Sequence, residues 1–290
     1  MNETLKTWNI LEILKVTENA FAEKGIRNPR LNAELLLSET TGYNRMNLYL
    51  NFEKPLTEAE VSDYRNKVKR RLKFEPLQYI TGKTEFYGLS FNLTPDVLIP
   101  RQETEILVES VLEHIKSCNI PKPRILEIGT GSGCIAIAIA ANSDCIIDAV
   151  DVSPEALKVA EENSMLNNLT DKTNFIQMDF LNSTEPFTGY DMIVSNPPYI
   201  AAQDIAGLDE EVNQFEPYIA LTDSSDGLTF YKRIFELART SENKPVIFLE
   251  MGDGKKDAIV KLLESFKIEN YSIHNDLINM PRVLIIEGNK

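Results

Sequence analysis

Asn196-Pro197-Pro198-Tyr199 is the segment of this sequence best suited to carry out chemistry. Two consecutive prolines fix φ and lack N–H groups, so the carbonyls of Asn196 and Pro197 are held in a rigid turn without competing donors. A planar –NH2 group could donate one hydrogen to the Asn196 side-chain oxygen and the other to the Pro197 carbonyl. The nitrogen would then point at an electrophile, with the Tyr199 ring stacked on the planar target. The pattern predicts Asn196, Pro197 and Tyr199 as catalytic residues, and all four residues as substrate-binding.

A glycine-rich segment, Gly129-Thr130-Gly131-Ser132-Gly133, follows a strand-like run and precedes an apolar helix-like stretch. Glycines permit a tight turn and close approach of a ligand to the backbone, and the following helix offers free N–H groups. Asp151 ends the next strand-like run, where a carboxylate can accept both hydroxyls of a ribose. Residues Gly129, Thr130, Gly131, Ser132 and Gly133 are therefore predicted, with Asp151, to bind a nucleoside.

The spacing of the glycines indicates which nucleoside cofactor is bound. Gly-x-Gly-x-Gly differs from the Gly-x-Gly-x-x-Gly that brings a helix N-terminus onto a pyrophosphate, so a cofactor without phosphates is favoured. We expect S-adenosyl-L-methionine, with S-adenosyl-L-homocysteine as the product, and Asn196 beside it. Asp179 could accept the adenine amino group and Phe180 could place its ring beside the base. A capping role for Asp179 and a core position for Phe180 fit the sequence equally well.

Strand-like and helix-like runs alternate after about residue 103, which predicts a parallel sheet covered by helices on both faces. The predicted strands are residues 124–128, 146–151, 174–178, 192–195, 246–250 and 283–287. Ligands bind beyond the carboxyl ends of the strands in such sheets. The glycine-rich segment, Asp151, Asp179 and the Asn-Pro-Pro-Tyr turn all follow strands, so we expect them to lie at one edge.

The N-terminal part of the chain has helical apolar spacing. One helix is predicted from Leu5 to Phe21, a second passes through Leu31 to Leu36, and Thr57 has the sequence form of a capping box that opens a third. Residues 1–80 are therefore predicted to form a small all-α bundle. The alternation from Glu85 to Leu93 predicts a β-hairpin in a linker of residues 81–100. Residues 101–290 would form the catalytic domain.

Composition excludes several classes of protein. Residues 1–100 hold 14 Lys and Arg against 13 Asp and Glu, whereas residues 101–290 hold 16 against 31, so the C-terminal part would repel a phosphate backbone. We therefore expect no direct nucleic-acid partner. The 3 Cys and 2 His residues have no metal-ligand spacing, and no metal is expected. No apolar run approaches the ~18 residues of a membrane span, so we expect a cytoplasmic protein without membrane contact.

Several further segments of the chain, together with Asn196-Pro197-Pro198-Tyr199, resemble the protein-(glutamine-N5) methyltransferases of peptide chain release factors, the HemK or PrmC family. The matching segments are Glu75-Pro76-Leu77-Gln78-Tyr79-Ile80-Thr81-Gly82, Leu98-Ile99-Pro100-Arg101 with Thr104-Glu105, Phe215-Glu216-Pro217 and Arg282-Val283. The resemblance covers most of the chain.

The resemblance implies a class I S-adenosylmethionine-dependent methyltransferase fold, Rossmann-like, with a mostly parallel seven-stranded sheet. It also implies that the substrate is the glutamine of the Gly-Gly-Gln motif in bacterial peptide chain release factors, and that the helical domain helps to dock this protein. We expect the enzyme to be a monomer. By the same resemblance Arg101 lies close to the site and binds substrate, although a salt-bridged surface position fits the sequence equally well.

Three alternatives remain at this level. A base N-methyltransferase would also present a planar –NH2 to the Asn-Pro-Pro-Tyr turn, and the basic run from Arg65 to Lys73 favours it, although such a run is usually a solvated helix face. A non-catalytic scaffold is disfavoured by the complete turn. A nicotinamide dehydrogenase is disfavoured by the glycine spacing and by the lack of an evident acid–base histidine.

Overall fold

A computed structural model describes residues 7–118, 120–184 and 187–288. The chain divides into two compact units. The first unit is Met1–Gly82 with Asp209–Phe215, and the second is Lys83–Leu208 with Glu216–Lys290. Each unit has a hydrophobic core of its own.

The first unit is helical. Its helices are α1 (Ile10–Lys24), α2 (Pro29–Thr41), α3 (Arg45–Leu50), α4 (Glu58–Arg71) and α5 (Leu77–Thr81), with α9 (Glu210–Phe215) from later in the chain. The capping box at Thr57 is confirmed, because its side chain accepts from the Glu60 N–H and the Glu60 carboxylate accepts from the Thr57 N–H. The predicted first helix is confirmed from Ile10 onward. Residues 7–9, which were predicted to be helical, precede it, because the Asn9 side chain caps its N-terminus, and the predicted start at Leu5 lies outside the described residues.

Part of the basic run at the end of α4 is paired with carboxylates of its own unit. Arg71 is 3% exposed and donates to Asn32 and to Glu211 of α9 at 2.7 and 2.6 Å. Arg70 forms an ion pair with Glu75. Arg71 is therefore a buried structural cation of this unit, whereas Arg65, Lys69, Arg70 and Lys73 are exposed.

The second unit begins with the predicted hairpin, which is confirmed as β1 (Lys83–Phe86) and β2 (Leu89–Asn92). Tyr87 and Gly88 have φ of 50° and 73°, as a two-residue hairpin turn with the strand twist requires. These two turn residues explain why the alternation of the sequence slips at this point.

A seven-stranded sheet forms the rest of this unit. Its strands are β3 (Arg124–Ile128), β4 (Ile146–Asp151), β5 (Thr173–Gln177), β6 (Met192–Ser195), β7 (Val246–Glu250), β8 (Tyr271–Asn275) and β9 (Pro281–Ile286). The order is β5-β4-β3-β6-β7-β9-β8. β9 runs antiparallel to both of its neighbours, and the other neighbouring pairs are parallel. The helices are α6 (Glu105–Cys118), α7 (Cys134–Asn142), α8 (Pro154–Leu166), α10 (Tyr218–Leu221), α11 (Thr229–Thr240) and α12 (Lys256–Phe266).

The predicted fold class is confirmed, and four of the six predicted strands have the predicted bounds. The strand predicted at 174–178 is Thr173–Gln177, and the one predicted at 283–287 is Pro281–Ile286. β8 lies at the edge of the sheet and has no fully buried residue, so it has no apolar run that sequence analysis could detect.

Two apolar layers cover the faces of the sheet. In the layer that contains α7, Cys134 through Ala140 are all buried. This run is apolar all round, as expected for a helix enclosed by protein. In the described part of the chain, no helix combines the length and the apolar character that crossing a bilayer requires.

Asn163 of α8 is completely buried and joins the hairpin to the glycine-rich loop. Its side-chain oxygen accepts from the Asn92 N–H at 2.7 Å, and its amide nitrogen donates to the carbonyls of Asn92 and Ser132 at 3.0 and 2.9 Å. One side chain therefore satisfies three backbone groups.

We expect Asn163→Ala to lower the free energy of unfolding by about 2–3 kcal/mol, because it leaves buried backbone groups without partners. Urea denaturation would measure the change. The matched control is Asn167→Ala on the same helix, where the side chain is only partly buried and bonds to the Ser90 and Asn163 carbonyls. Equal effects of the two substitutions would contradict this prediction.

Candidate active site

A cavity of about 520 Å³ opens at the carboxyl ends of the parallel strands in the second unit. This volume lies in the range of about 300–1,000 Å³ that is usual for small-molecule sites. Ten of the predicted site residues line it: Arg101, Gly129, Thr130, Gly131, Ser132, Asp151, Asp179, Phe180, Asn196 and Pro198. Gly133, Pro197 and Tyr199 are not among the lining residues.

The glycine-rich loop has a backbone that only glycine adopts easily. Gly129, Gly131 and Gly133 have φ of 75°, 55° and 79°. A Cβ on Gly133 would lie 3.0 Å from the Cβ of Ala160, so this glycine allows α7 and α8 to approach each other. Gly133 therefore has a packing role at the start of α7, and its predicted contact with the cofactor stays a prediction.

Asp151 is fixed by the loop beside it. Its two carboxylate oxygens accept from the backbone N–H groups of Gly131 and Ser153 at 2.9 and 3.0 Å. A carboxylate oxygen can accept more than one hydrogen bond, so both oxygens retain acceptor capacity toward the cavity. The arrangement suits the two hydroxyls of a ribose.

Glu127 supports the loop from below and was not singled out in the sequence analysis. It is 1% exposed, and it accepts from the Thr130 hydroxyl at 2.7 Å. Its other oxygen, Oε1, is buried without a hydrogen-bond partner in the described residues. Burial raises the pKa of Glu127 to about 8. Burial at the carboxyl end of β3 therefore favours the neutral form of this acidic group at neutral pH.

Asp179 and Phe180, which the sequence predicted to lie beside an adenine, both line the cavity. The Asp179 carboxylate accepts from the backbone and the side chain of Asn182 at 3.4 and 2.7 Å. The Phe180 ring is stacked with Phe187 and Phe230, each at 6.3 Å between centroids. Asp179 and Phe180 thus both have structural contacts and both line the cavity. The structural role and the predicted adenine contact therefore both fit the structure for each residue.

The orientation of the Asn196 side chain is defined by one hydrogen bond. Its amide nitrogen donates to the hydroxyl oxygen of Thr104 at 3.3 Å. The amide oxygen is thereby left on the opposite side of the group. Asn196 lines the same cavity as Gly131 and Asp151, which is the arrangement that the chemistry inferred from the sequence requires.

Tyr199 is held between two glycines that the sequence analysis did not identify. A Cβ on Gly252 would lie 2.3 Å from the Tyr199 ring, and a Cβ on Gly227 would lie 2.1 Å from the Tyr199 carbonyl oxygen. The ring packs against the core, and its burial raises the pKa of the hydroxyl well above the usual value. Tyr199 is therefore a neutral, rigidly placed side chain, and its stacking on substrate stays a prediction.

Arg101 forms an ion pair with Glu216 at 2.6 Å. The Glu216 carboxylate is buried and also accepts from the Ile99 N–H at 3.4 Å. Two segments on which the family resemblance rests, Ile-Pro-Arg and Phe-Glu-Pro, are thus joined by one carboxylate. The structure therefore agrees with the alternative in which Arg101 forms a salt bridge. A direct contact between Arg101 and substrate stays a prediction.

The residues that the sequence analysis missed share a detectable signal. Glu127 and Glu250 are the acidic residues at or near the carboxyl ends of β3 and β7, and Gly252 follows β7 by two positions. The rule that drew attention to Asp151, a polar residue at the end of a buried strand, applies equally to both glutamates.

The sheet and this cavity define the class of protein. A methyltransferase small domain model matches residues 102–211, and the second unit resembles the solved structure of the hMettl16 catalytic domain in complex with the MAT2A 3'UTR hairpin 6. That likeness has a TM-score of 0.55 at 21% identity, over 70% of this chain and 77% of the other, and it shows the fold alone. The protein is an S-adenosylmethionine-dependent methyltransferase.

Curated relatives identify the family. The release factor glutamine methyltransferase of Bacillus subtilis is 38% identical over 97% of this chain and 99% of its own length, and that of Geobacter sulfurreducens is 39% identical over 90% of each. The relative from Chlorobaculum tepidum is 41% identical over 79% of this chain and 80% of its own. A PrmC N-terminal domain model also matches residues 12–82. The chain belongs to the release factor glutamine methyltransferase family.

We expect Gly252→Ala to lower methyl transfer on the order of 10²-fold, because the new methyl group displaces the Tyr199 ring and with it the turn. Turnover with labelled S-adenosylmethionine would measure the effect. Gly207→Ala is the matched control, since nothing lies within 4 Å of its Cβ position. Normal turnover in a folded Gly252→Ala protein would show that the ring position is unimportant.

Proposed function

We propose that this enzyme transfers a methyl group from S-adenosylmethionine to the N5 side-chain amide nitrogen of the glutamine in the Gly-Gly-Gln motif of bacterial peptide chain release factors. The observation that carries the proposal is the orientation of Asn196, whose amide nitrogen is bound to Thr104 so that its oxygen is left to accept. The named activity of the relatives supports the choice of a glutamine and of a release factor.

The Asn-Pro-Pro-Tyr turn would bind both hydrogens of the target –NH2. The Asn196 side-chain oxygen accepts one hydrogen and the Pro197 carbonyl accepts the other, which leaves the third direction of the nitrogen pointing into the cavity. An amide lone pair is delocalised and reacts poorly, so fixed acceptors that favour the developing positive charge on nitrogen lower the barrier. The proton leaves after the N–C bond forms, and no general base is needed beforehand.

The residues of the cavity fit S-adenosylmethionine, which supplies an electrophilic methyl group when bound. The positive-φ glycines leave space beside the loop backbone, Asp151 offers two anchored oxygens to a ribose, and Phe180 presents an apolar surface to a base. The loop holds Gly131 close to Asp151, so one end of the cavity is set for the nucleoside and Asn196 is set for the acceptor.

A base N-methyltransferase is the second candidate, because a flipped base also carries a planar –NH2. Arg70 and Arg71, two members of the basic run that favoured this candidate, are paired with carboxylates, which weakens it. We further propose that the helical unit of Met1–Gly82 docks the release factor, since a PrmC N-terminal domain model matches residues 12–82.

The direct test is to incubate the protein with labelled S-adenosylmethionine and, separately, a release factor, its Gln-to-Ala variant at the Gly-Gly-Gln motif, and nucleic acid. We expect label on the release factor alone, and peptide mass mapping would locate it on the glutamine side chain. Labelling of the Gln-to-Ala protein to the same extent, or of DNA or RNA, would remove the proposal.

The Asn196→Ala variant tests the proposed role of the turn. Turnover on the release factor should fall roughly 10²-fold or more, since one of two acceptors for the target nitrogen is lost, while the melting temperature stays close to that of the wild type. Asn213→Ala is the control, as this asparagine does not line the cavity. Near-normal turnover of Asn196→Ala would exclude the role.

A further inference from the structure

Thr104 is a buried hydroxyl group at the reaction centre. It ends the short 3₁₀ helix Gln102–Thr104, is 2% exposed and lines the cavity. Its oxygen accepts from the Asn196 amide at 3.3 Å. A hydroxyl has one proton, so with its oxygen accepting from Asn196 its proton must point to another acceptor.

That acceptor is Glu250, the last residue of β7. The Glu250 side chain is almost completely buried, and its Oε2 atom has no hydrogen-bond partner in the described residues. Its interaction with the Thr104 hydroxyl lowers the pKa of the carboxyl. The amide of Asn196 donates to the hydroxyl of Thr104. The hydroxyl proton is therefore directed toward the unpartnered carboxylate oxygen of Glu250.

We propose that Thr104 and Glu250 are positioning residues that hold the Asn196 side chain with its oxygen, and not its –NH2 group, toward the methyl acceptor. This inference rests on the proposed function, because it assumes that the oxygen binds the –NH2 of a glutamine. The two orientations of an amide have the same shape, so packing cannot choose between them. Only the hydrogen bond to Thr104 distinguishes them, and a flipped Asn196 would set one –NH2 group against another.

Because Glu250 is titratable, the orientation of the Asn196 amide depends on pH. Burial raises the pKa of Glu250 to about 7. Above this pH the ionised carboxylate accepts from Thr104. Below it the protonated carboxyl can donate to Thr104, whose own proton then turns toward Asn196 and favours the flipped amide. Turnover should therefore be lost as the pH falls through about 7.

Other charged and titratable groups face Glu250 and set where this change occurs. Arg282 and Arg101 lower its pKa, and Glu103 raises it. The carboxylate in turn raises the pKa of the groups packed near it, which are Cys134 of α7, Tyr199 and Tyr231 of α11. Each of these three stays protonated near neutral pH because burial raises its pKa, so Glu250 is the group among them that titrates there.

The test uses Thr104→Val, which keeps the shape and removes the hydroxyl, with Thr104→Ser to restore it. We expect kcat on a release factor to fall about 10-fold in Thr104→Val, with little change in KM for S-adenosylmethionine, and to recover largely in Thr104→Ser. Thr173→Val is the matched control, because Thr173 is also a buried threonine with a bonded hydroxyl, and it lies on β5 away from Asn196.

The pH profile of kcat separates positioning from a purely structural role. The kcat of the wild type should fall on the acid side of pH 7. In Thr104→Val and Glu250→Gln this acid-side fall in kcat should be absent. Unchanged kcat in Thr104→Val, a loss no larger than in Thr173→Val, or a wild-type acid limb in Thr104→Val would each overturn the inference. If the wild type fails to methylate the release factor, the proposed function fails and this inference with it.

Discussion

The register of the parallel strands is the constraint on which the site depends. Ile128 of β3 pairs with Val150 of β4 and with Ser195 of β6, and Ser195 pairs with Leu249 of β7. These residues form one row across the sheet. The next residue on each strand, Gly129, Asp151, Asn196 and Glu250 respectively, therefore starts from the same edge. The glycine-rich loop, the Asp151 carboxylate, the Asn-Pro-Pro-Tyr turn and the Glu250 carboxylate are therefore neighbours because of the backbone hydrogen bonds of the sheet.

Holding acidic groups at this edge opposes stability. Glu127 and Glu250 are both about 1% exposed, and burial raises their pKa values to about 8 and about 7. A carboxyl group whose folded pKa is raised stabilises the fold fully below its unfolded pKa, and this contribution is lost as the pH rises through the folded value. Above about pH 8 both buried groups are ionised, and the folded state is then less stable than it would be with both groups neutral. Such strain is common where chemistry needs a charge in a fixed place.

The sequence could predict the strands and the two loops because each depends on local signals. Buried parallel strands are apolar runs, glycines at positive φ mark the loop, and two prolines mark the turn. Four strands were placed to the residue, whereas β8 could not be placed because an edge strand with little burial has no such run. Contacts between residues far apart in the sequence could not be predicted. Nothing near Thr104 in the sequence indicates that its partners lie 92 and 146 residues away, at Asn196 and Glu250.

Asn163 links the β1–β2 hairpin directly to the glycine-rich loop. Its single amide group is bonded to Asn92 at the end of the hairpin and to Ser132 in the glycine-rich loop. A shift of the hairpin backbone therefore acts on the loop backbone through one amide group, with no further residue between them.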